Sequence, residues 1–149
     1  LIEYNARFGD PEAMNVLSIL ETDLIEICEA IIKEELDKIN ISFSNLATVC
    51  KYAVPDGYPD DPVKNKQIDI SSVKDQAKLF HASVELKGSD LFEAGSRTVA
   101  VVGIGETIWE AEEIAEKEIS NVKGPLFHRK DIGTTELIQK KINHMSSLQ

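Results

Sequence analysis

The spacing of apolar positions changes along the chain, and the changes mark its elements. In residues 1–7 the two kinds alternate: Ile2, Tyr4 and Ala6 share one side of an extended segment, Glu3, Asn5 and Arg7 the other, because side chains two apart point to the same face of a strand. A Gly9-Asp10-Pro11 turn should end this strand. Asp10 suits an N-cap, Pro11 the first helical position and Glu12 the first turn, which predicts a helix from Pro11 to about Leu20. A second helix should begin near Asp23, which forms an Asp version of the capping box with Glu26. Its stripe of Leu24, Cys28, Ile31 and Ile32 lies opposite Glu26, Glu29, Lys33 and Glu34, so one face is expected to pack and the other to meet water.

Beyond Asn45 the texture becomes extended. LATVCKYAV is rich in β-branched and aromatic residues and reads as a strand. PDGYPDDP, from Pro55 to Pro62, forbids a continuous helix or ladder, and the polar stretch after it holds a short QIDI run that reads as an edge strand. LFHASVELKG and SRTVAVVGIG read as two strands of an antiparallel pair joined by a Gly-containing loop. Thr107 and Glu110 make a second capping box, and Ile108, Ala111, Ala115, Ile119 and Val122 line one stripe of the helix that follows. The acidic Glu112, Glu113 and Glu116 fall mostly elsewhere, so this helix should lie on the sheet until Gly124 and Pro125 end it. PLFHRKDIGTTE reads as a loop, Thr135 to about Asn143 as a last helix, and HMSSLQ as a fraying end.

A length of 149 residues fits one domain, or one domain with part of another. The net charge of -10 opposes approach to nucleic acid or an anionic membrane, so neither is expected as a partner. No apolar run reaches membrane-spanning length, and the N-terminal residues lack the basic start and apolar core of a signal peptide. A soluble, cytoplasmic protein is the expectation. Cys28 and Cys50 have no CxxC spacing and read as buried thiols of a reducing compartment, while His81, His128 and His144 belong to no metal motif.

Glu3, Asn5 and Arg7 carry the sharpest chemistry. Magnesium takes hard oxygen ligands, which a carboxylate and an amide at this spacing supply, and a guanidinium contacts phosphate through its planar fork. A half-exposed strand with its polar side outward explains the same spacing, and on spacing alone it is the more economical reading. HRKDIG offers Arg129 and Lys130 to an anionic substrate, although Asp131 and Gly133 also make an ordinary turn. Arg97 follows a small-residue turn and either enters a cleft or forms a surface ion pair. VGIGET lacks the third glycine and the βαβ setting of a dinucleotide site and reads as a strand-to-helix connection. Asp60 and Asp61 read as a solvated loop.

ExNxR at the end of a strand resembles the metal-bearing strand of ATP-grasp ligases. The longer IEYNARFGDPEAMNVL, followed in order by GYP (57–59), FHAS (80–83), GSRTVAVVGIG from Gly95 and HRKDIG (128–133), is similar to the glycinamide ribonucleotide synthetase (phosphoribosylamine-glycine ligase) family. Two positions depart from that pattern: Ser96 stands where a second glycine is usual, and His128 where a tyrosine is usual. The resemblance implies an α+β chain, with residues 1–43 closing an ATP-grasp catalytic domain and 44–149 forming a C-terminal domain with a small antiparallel sheet and packed helices. It implies a ligase of purine biosynthesis that joins glycine to 5-phosphoribosylamine, with ATP as a substrate, through an acyl phosphate of glycine. By the same resemblance Glu3 and Asn5 hold Mg²⁺ or Mn²⁺, Arg7 is catalytic, and Arg97, Arg129 and Lys130 contact substrate or phosphate. The partner it implies is the missing N-terminal part of such a ligase, without which the chain is expected to be inactive, since positioning fails when most positioning groups are absent. Another ATP-grasp carboxylate-amine ligase or carboxylase, or a non-catalytic interaction module, remain as alternatives.

Overall fold

A computed structural model describes residues 6–147. In chain order these form α1 (Glu12–Leu17), α2 (Leu24–Ile32), a 3₁₀ turn at Leu36–Lys38, β1 (Ala47–Pro55), β2 (Gln67–Ile68), β3 (Ala77–His81), β4 (Val84–Lys87), β5 (Asp90–Glu93), β6 (Val99–Gly105), α3 (Ile108–Ile119), β7 (Leu126–His128) and α4 (Thr135–Ser147). The chain is α+β, as expected. One antiparallel sheet has the order β3-β6-β1-β7 and a smaller one the order β2-β5-β4. QIDI does supply an edge strand, β2.

The larger sheet is covered on both faces, which is why its inner strands are apolar at consecutive positions. Val99, Val101 and Ala53 face Ile119 of α3, and Val49 packs on Ala111 and Ala115 of the same helix. On the other face Cys50, Ala100 and Val102 meet Met14 of α1 with Tyr52 and Phe80. α3 approaches β6 so closely that a Cβ on Gly103 would lie 2.0 Å from the Ala111 carbonyl oxygen. A side chain there would hold the helix off the sheet.

The caps behave as their chemistry requires. The Asp23 carboxylate accepts from the Ile25 amide at 2.8 Å and Thr107 Oγ1 from the Glu110 amide at 3.3 Å. Glu110 reaches back to the Glu106 amide (2.8 Å), one residue before the cap.

Several expectations need correction. α1 is shorter than predicted and Pro11 takes the N-cap position without a side-chain cap, because the Asp10 carboxylate is engaged by Tyr52 and Arg97 instead. LFHASVELKG divides: β3 pairs with β6, but after Ser83, whose amide bonds to Arg97 and whose carbonyl accepts from Ala94, the chain turns into the β4–β5 hairpin of the second sheet. The loop predicted over PLFHRKDIGTTE contains β7, paired with β1. α4 continues past Asn143 to Ser147. Leu148 and Gln149 lie outside the described residues. The stripe of α2 does not pack within the described residues: Ala30 alone in that helix is buried, Ile32 is 81% exposed, and Cys28, expected inside, is exposed. No helix among the described residues is long and apolar enough to cross a membrane.

Candidate functional site

Strand parity sorts β1 into two chemistries. Val49, Lys51 and Ala53 point toward α3, while Cys50, Tyr52 and Val54 floor a cavity of about 460 Å³ on the opposite face. Tyr58 and Phe127 wall this cavity, and the guanidinium-bearing Arg97 and Arg129 line it. The arrangement pairs apolar area with two fixed cations, the combination a ring-bearing anion needs.

Asp10, next to the start of α1, organises the Arg97 side. Its carboxylate accepts from Tyr52 Oη at 2.8 Å and lies 3.1 Å from Arg97 Nη2, while its carbonyl accepts from Arg97 Nη1 at 3.2 Å. The Arg97 guanidinium also stands over the Tyr52 ring, 5.2 Å from its centre. Burial, and then the hydrogen bond to Asp10, push the Tyr52 phenol well above its usual range. Cys50 is pushed up to about 12, chiefly by burial and then by the charge of Asp10, so its thiol stays protonated and inert. On the other side Arg129 Nε donates to Asp131 Oδ1 at 3.0 Å. That hydrogen bond raises the Arg129 pKa and holds the Asp131 carboxyl low.

An ionic cluster around one buried lysine lies behind the floor. The Lys51 side chain is fully buried; its Nζ donates to Glu112 Oε1 and Glu116 Oε2, both at 2.6 Å, and to the Lys130 carbonyl at 3.0 Å. His128 Nε2 stands 3.0 Å from Glu116 Oε1. Burial works against the Glu116 carboxylate, but the hydrogen bonds from Lys51 and His128 outweigh it and leave its pKa below the usual value. Sequence reasoning missed this cluster. Its visible signal is a single lysine within the apolar run LATVCKYAV, at a position whose parity neighbours are core, together with Glu112 and Glu116 one helical turn apart.

Of the residues singled out from sequence, Arg97 and Arg129 are brought to one cavity. Arg97 is thus both an ion-pair member and a cleft residue, so the two readings of it were not exclusive. Lys130 has an exposed side chain and contributes its carbonyl to Lys51. Arg7 is exposed, and its Nη1 donates to the Phe8 carbonyl at 2.9 Å. Glu3 and Asn5 lie outside the described residues. Asp60 and Asp61 are exposed in the loop after β1. Among the described residues no group of three or more His, Cys, Asp or Glu side chains is placed to hold a metal ion.

The family model described as "Phosphoribosylglycinamide synthetase, C domain" matches residues 48–135. A phosphoribosylamine–glycine ligase of Methanococcus maripaludis is 55% identical over 151 residues, covering 99% of this chain and 34% of that protein. The enzyme of the same name from Methanosarcina acetivorans is 52% identical over 149 residues, covering 100% of this chain and 34% of that protein. A crystal structure of phosphoribosylamine–glycine ligase from Thermotoga maritima superposes with a TM-score of 0.65 at 27% identity, over 89% of this chain and 33% of that one. The chain therefore spans about a third of the length of the curated relatives it matches.

Proposed function

The chain belongs to the phosphoribosylglycinamide synthetase C-domain family, and from that premise we propose that it acts as the C-terminal part of an ATP-dependent ligase joining glycine to 5-phosphoribosylamine. The observation that carries this reading is the agreement, above half of all positions and across nearly the whole chain, with relatives named for that ligation. We place the boundary at 43/44, with residues 1–43 closing the catalytic domain; the family match and β1 both begin just after it.

Glu3 and Asn5 offer carboxylate and amide oxygens, a donor set that suits Mg²⁺ or Mn²⁺, and these residues would hold the ion. Such an ion supplies charge neutralisation to phosphate oxygens. Arg7 presents a second positive charge to a transferring phosphoryl group. Arg97 and Arg129 hold the 5-phosphate of the sugar amine, with Tyr58 and Phe127 shielding the pentose from water. Lys130 is a peripheral cation in this reading, since its side chain is exposed. Attack of the amine on an activated glycine carboxylate then needs no covalent nucleophile from this chain. The reading is consistent with Cys50 being held protonated.

The test is reconstitution. The chain is mixed with a separately made polypeptide supplying the remaining part of the ligase, and ADP release dependent on both glycine and phosphoribosylamine is measured beside Glu3→Ala and Asn5→Ala chains. Activity only in the mixture, falling in both variants, supports the proposal. A folded, associated mixture that is inactive, or indifferent to both substitutions, refutes it and favours an interaction module.

A further inference from the structure

β7 is the outermost strand of the large sheet, and its pairing with β1 ends at Ala53↔His128. Arg129 follows immediately. Continued by one residue, that register sets Arg129 opposite Tyr52 on the cavity face, where its side chain is indeed found among the lining residues. No ladder pair holds its backbone there, and the guanidinium's own ion pair, to Asp131 two residues on, lies within the same unpaired segment. An unpaired strand end is free to fray, and a guanidinium carried on a fraying segment binds an anion poorly because the ordering must be supplied at binding.

What replaces the ladder lies on the opposite face of the same strand. Lys51 Nζ donates to the carbonyl of Lys130, and the Glu116 carboxylate that Lys51 holds also holds His128. The residues on either side of Arg129 are therefore tied through one buried ammonium, itself fixed to α3 by Glu112. The titratable groups facing Lys51 are Glu112 and Glu116 from α3 and His128 from β7, with Asp131 adding its charge from the following turn. Burying a lysine this fully is costly, and stability alone does not require it: an apolar side chain of equal length with neutral partners packs as well or better.

We propose that Lys51 is a positioning residue for Arg129: its hydrogen bond to the Lys130 carbonyl and its hold on the Glu116–His128 pair keep the Arg129 guanidinium aimed into the cavity, where it takes the phosphate of a sugar phosphate. The inference rests on the reading of this cavity as a phosphate site. It makes Lys51 a determinant of affinity without contact to the ligand.

Binding of ribose 5-phosphate to the chain, read by calorimetry, tests both layers. Arg129→Ala, Lys51→Met and the double variant form a cycle. A parallel cycle uses the charge-matched Lys51→Met/Glu112→Gln/Glu116→Gln background, which leaves neither of these carboxylates without its ammonium should Lys51→Met alone fail to fold. Loss of Lys51 is expected to weaken binding about tenfold or more, the scale of one charge-assisted hydrogen bond to the ligand, and to have no further effect once Arg129 is alanine. An equal loss with and without Arg129 would overturn the inference, because the disturbance would then be general. No loss on removing Lys51, where Arg129→Ala does weaken binding, would overturn it while leaving the phosphate site standing. If ribose 5-phosphate fails to bind, or binds Arg129→Ala as well as the parent, the site reading fails and the positioning role with it.

Discussion

Replacing Gly103 with alanine should separate α3 from the sheet. The added Cβ would stand 2.0 Å from the Ala111 carbonyl oxygen and 2.7 Å from the Ala115 amide nitrogen, so the helix must retreat by more than an ångström before contact becomes ordinary. Those neighbours are helix backbone, and no flexible side chain can swing aside. Overpacking costs about 1–3 kcal/mol in general. Here the retreat also loosens Ala111, Ala115 and Ile119, all nearly inaccessible, and stretches the 2.6 Å bonds from Lys51 to Glu112 and Glu116. The expected loss is therefore at the top of that range, about 3 kcal/mol. Urea denaturation followed by circular dichroism and by Trp109, the single tryptophan, on α3, measures it. Gly88→Ala is the comparison: its φ of +67° resists a side chain, but nothing lies within 4 Å, so only the left-handed backbone cost of about 1–2 kcal/mol applies. A Gly103→Ala loss no larger than that of Gly88→Ala would refute the close-approach argument.

Three further outcomes follow from the site. Asp10→Asn should lower the Tyr52 phenol pKa toward its usual range, seen as an earlier rise in ultraviolet absorbance on alkaline titration; an unmoved titration would mean that burial alone sets it. A thiol reagent near neutral pH should label Cys28 rapidly and Cys50, held near 12 by burial, only on unfolding; two fast thiols would contradict the described core. Because the folded pKa of Glu116 is depressed, its contribution is fully present above the usual 4.5 and is lost as pH falls through the folded value. The stability gap between the parent and Glu116→Gln should thus narrow in acid, and a gap independent of pH would show that the charge of Glu116 is not what holds Lys51 and His128.

The elements were legible where local signals and packing agree. β-branched and aromatic content marks β1, an apolar run bounded by glycine-containing turns marks β6, and capping residues mark the starts of α2 and α3, because those features act within a few residues. Asp10 shows how a local rule loses: a good capping carboxylate was taken instead by Tyr52 and Arg97, partners distant in sequence. α2 shows a different limit. Its period shows that one face is apolar, not what covers that face. Lys51 was missed for a related reason, since a buried cation is tolerable only with its carboxylates in place, and those come from a helix far along the chain. Strand register then assigns the roles that residue type leaves open. With β1 as it stands, Tyr52 faces the cavity and Lys51 faces α3; a slip of one residue would put the ammonium among the cavity's own cations and strip Glu112 and Glu116 of their partner. The slip would also take the Tyr52 phenol away from Asp10 and Arg97, so the parity of this one strand couples the stability of the domain to the make-up of its cavity.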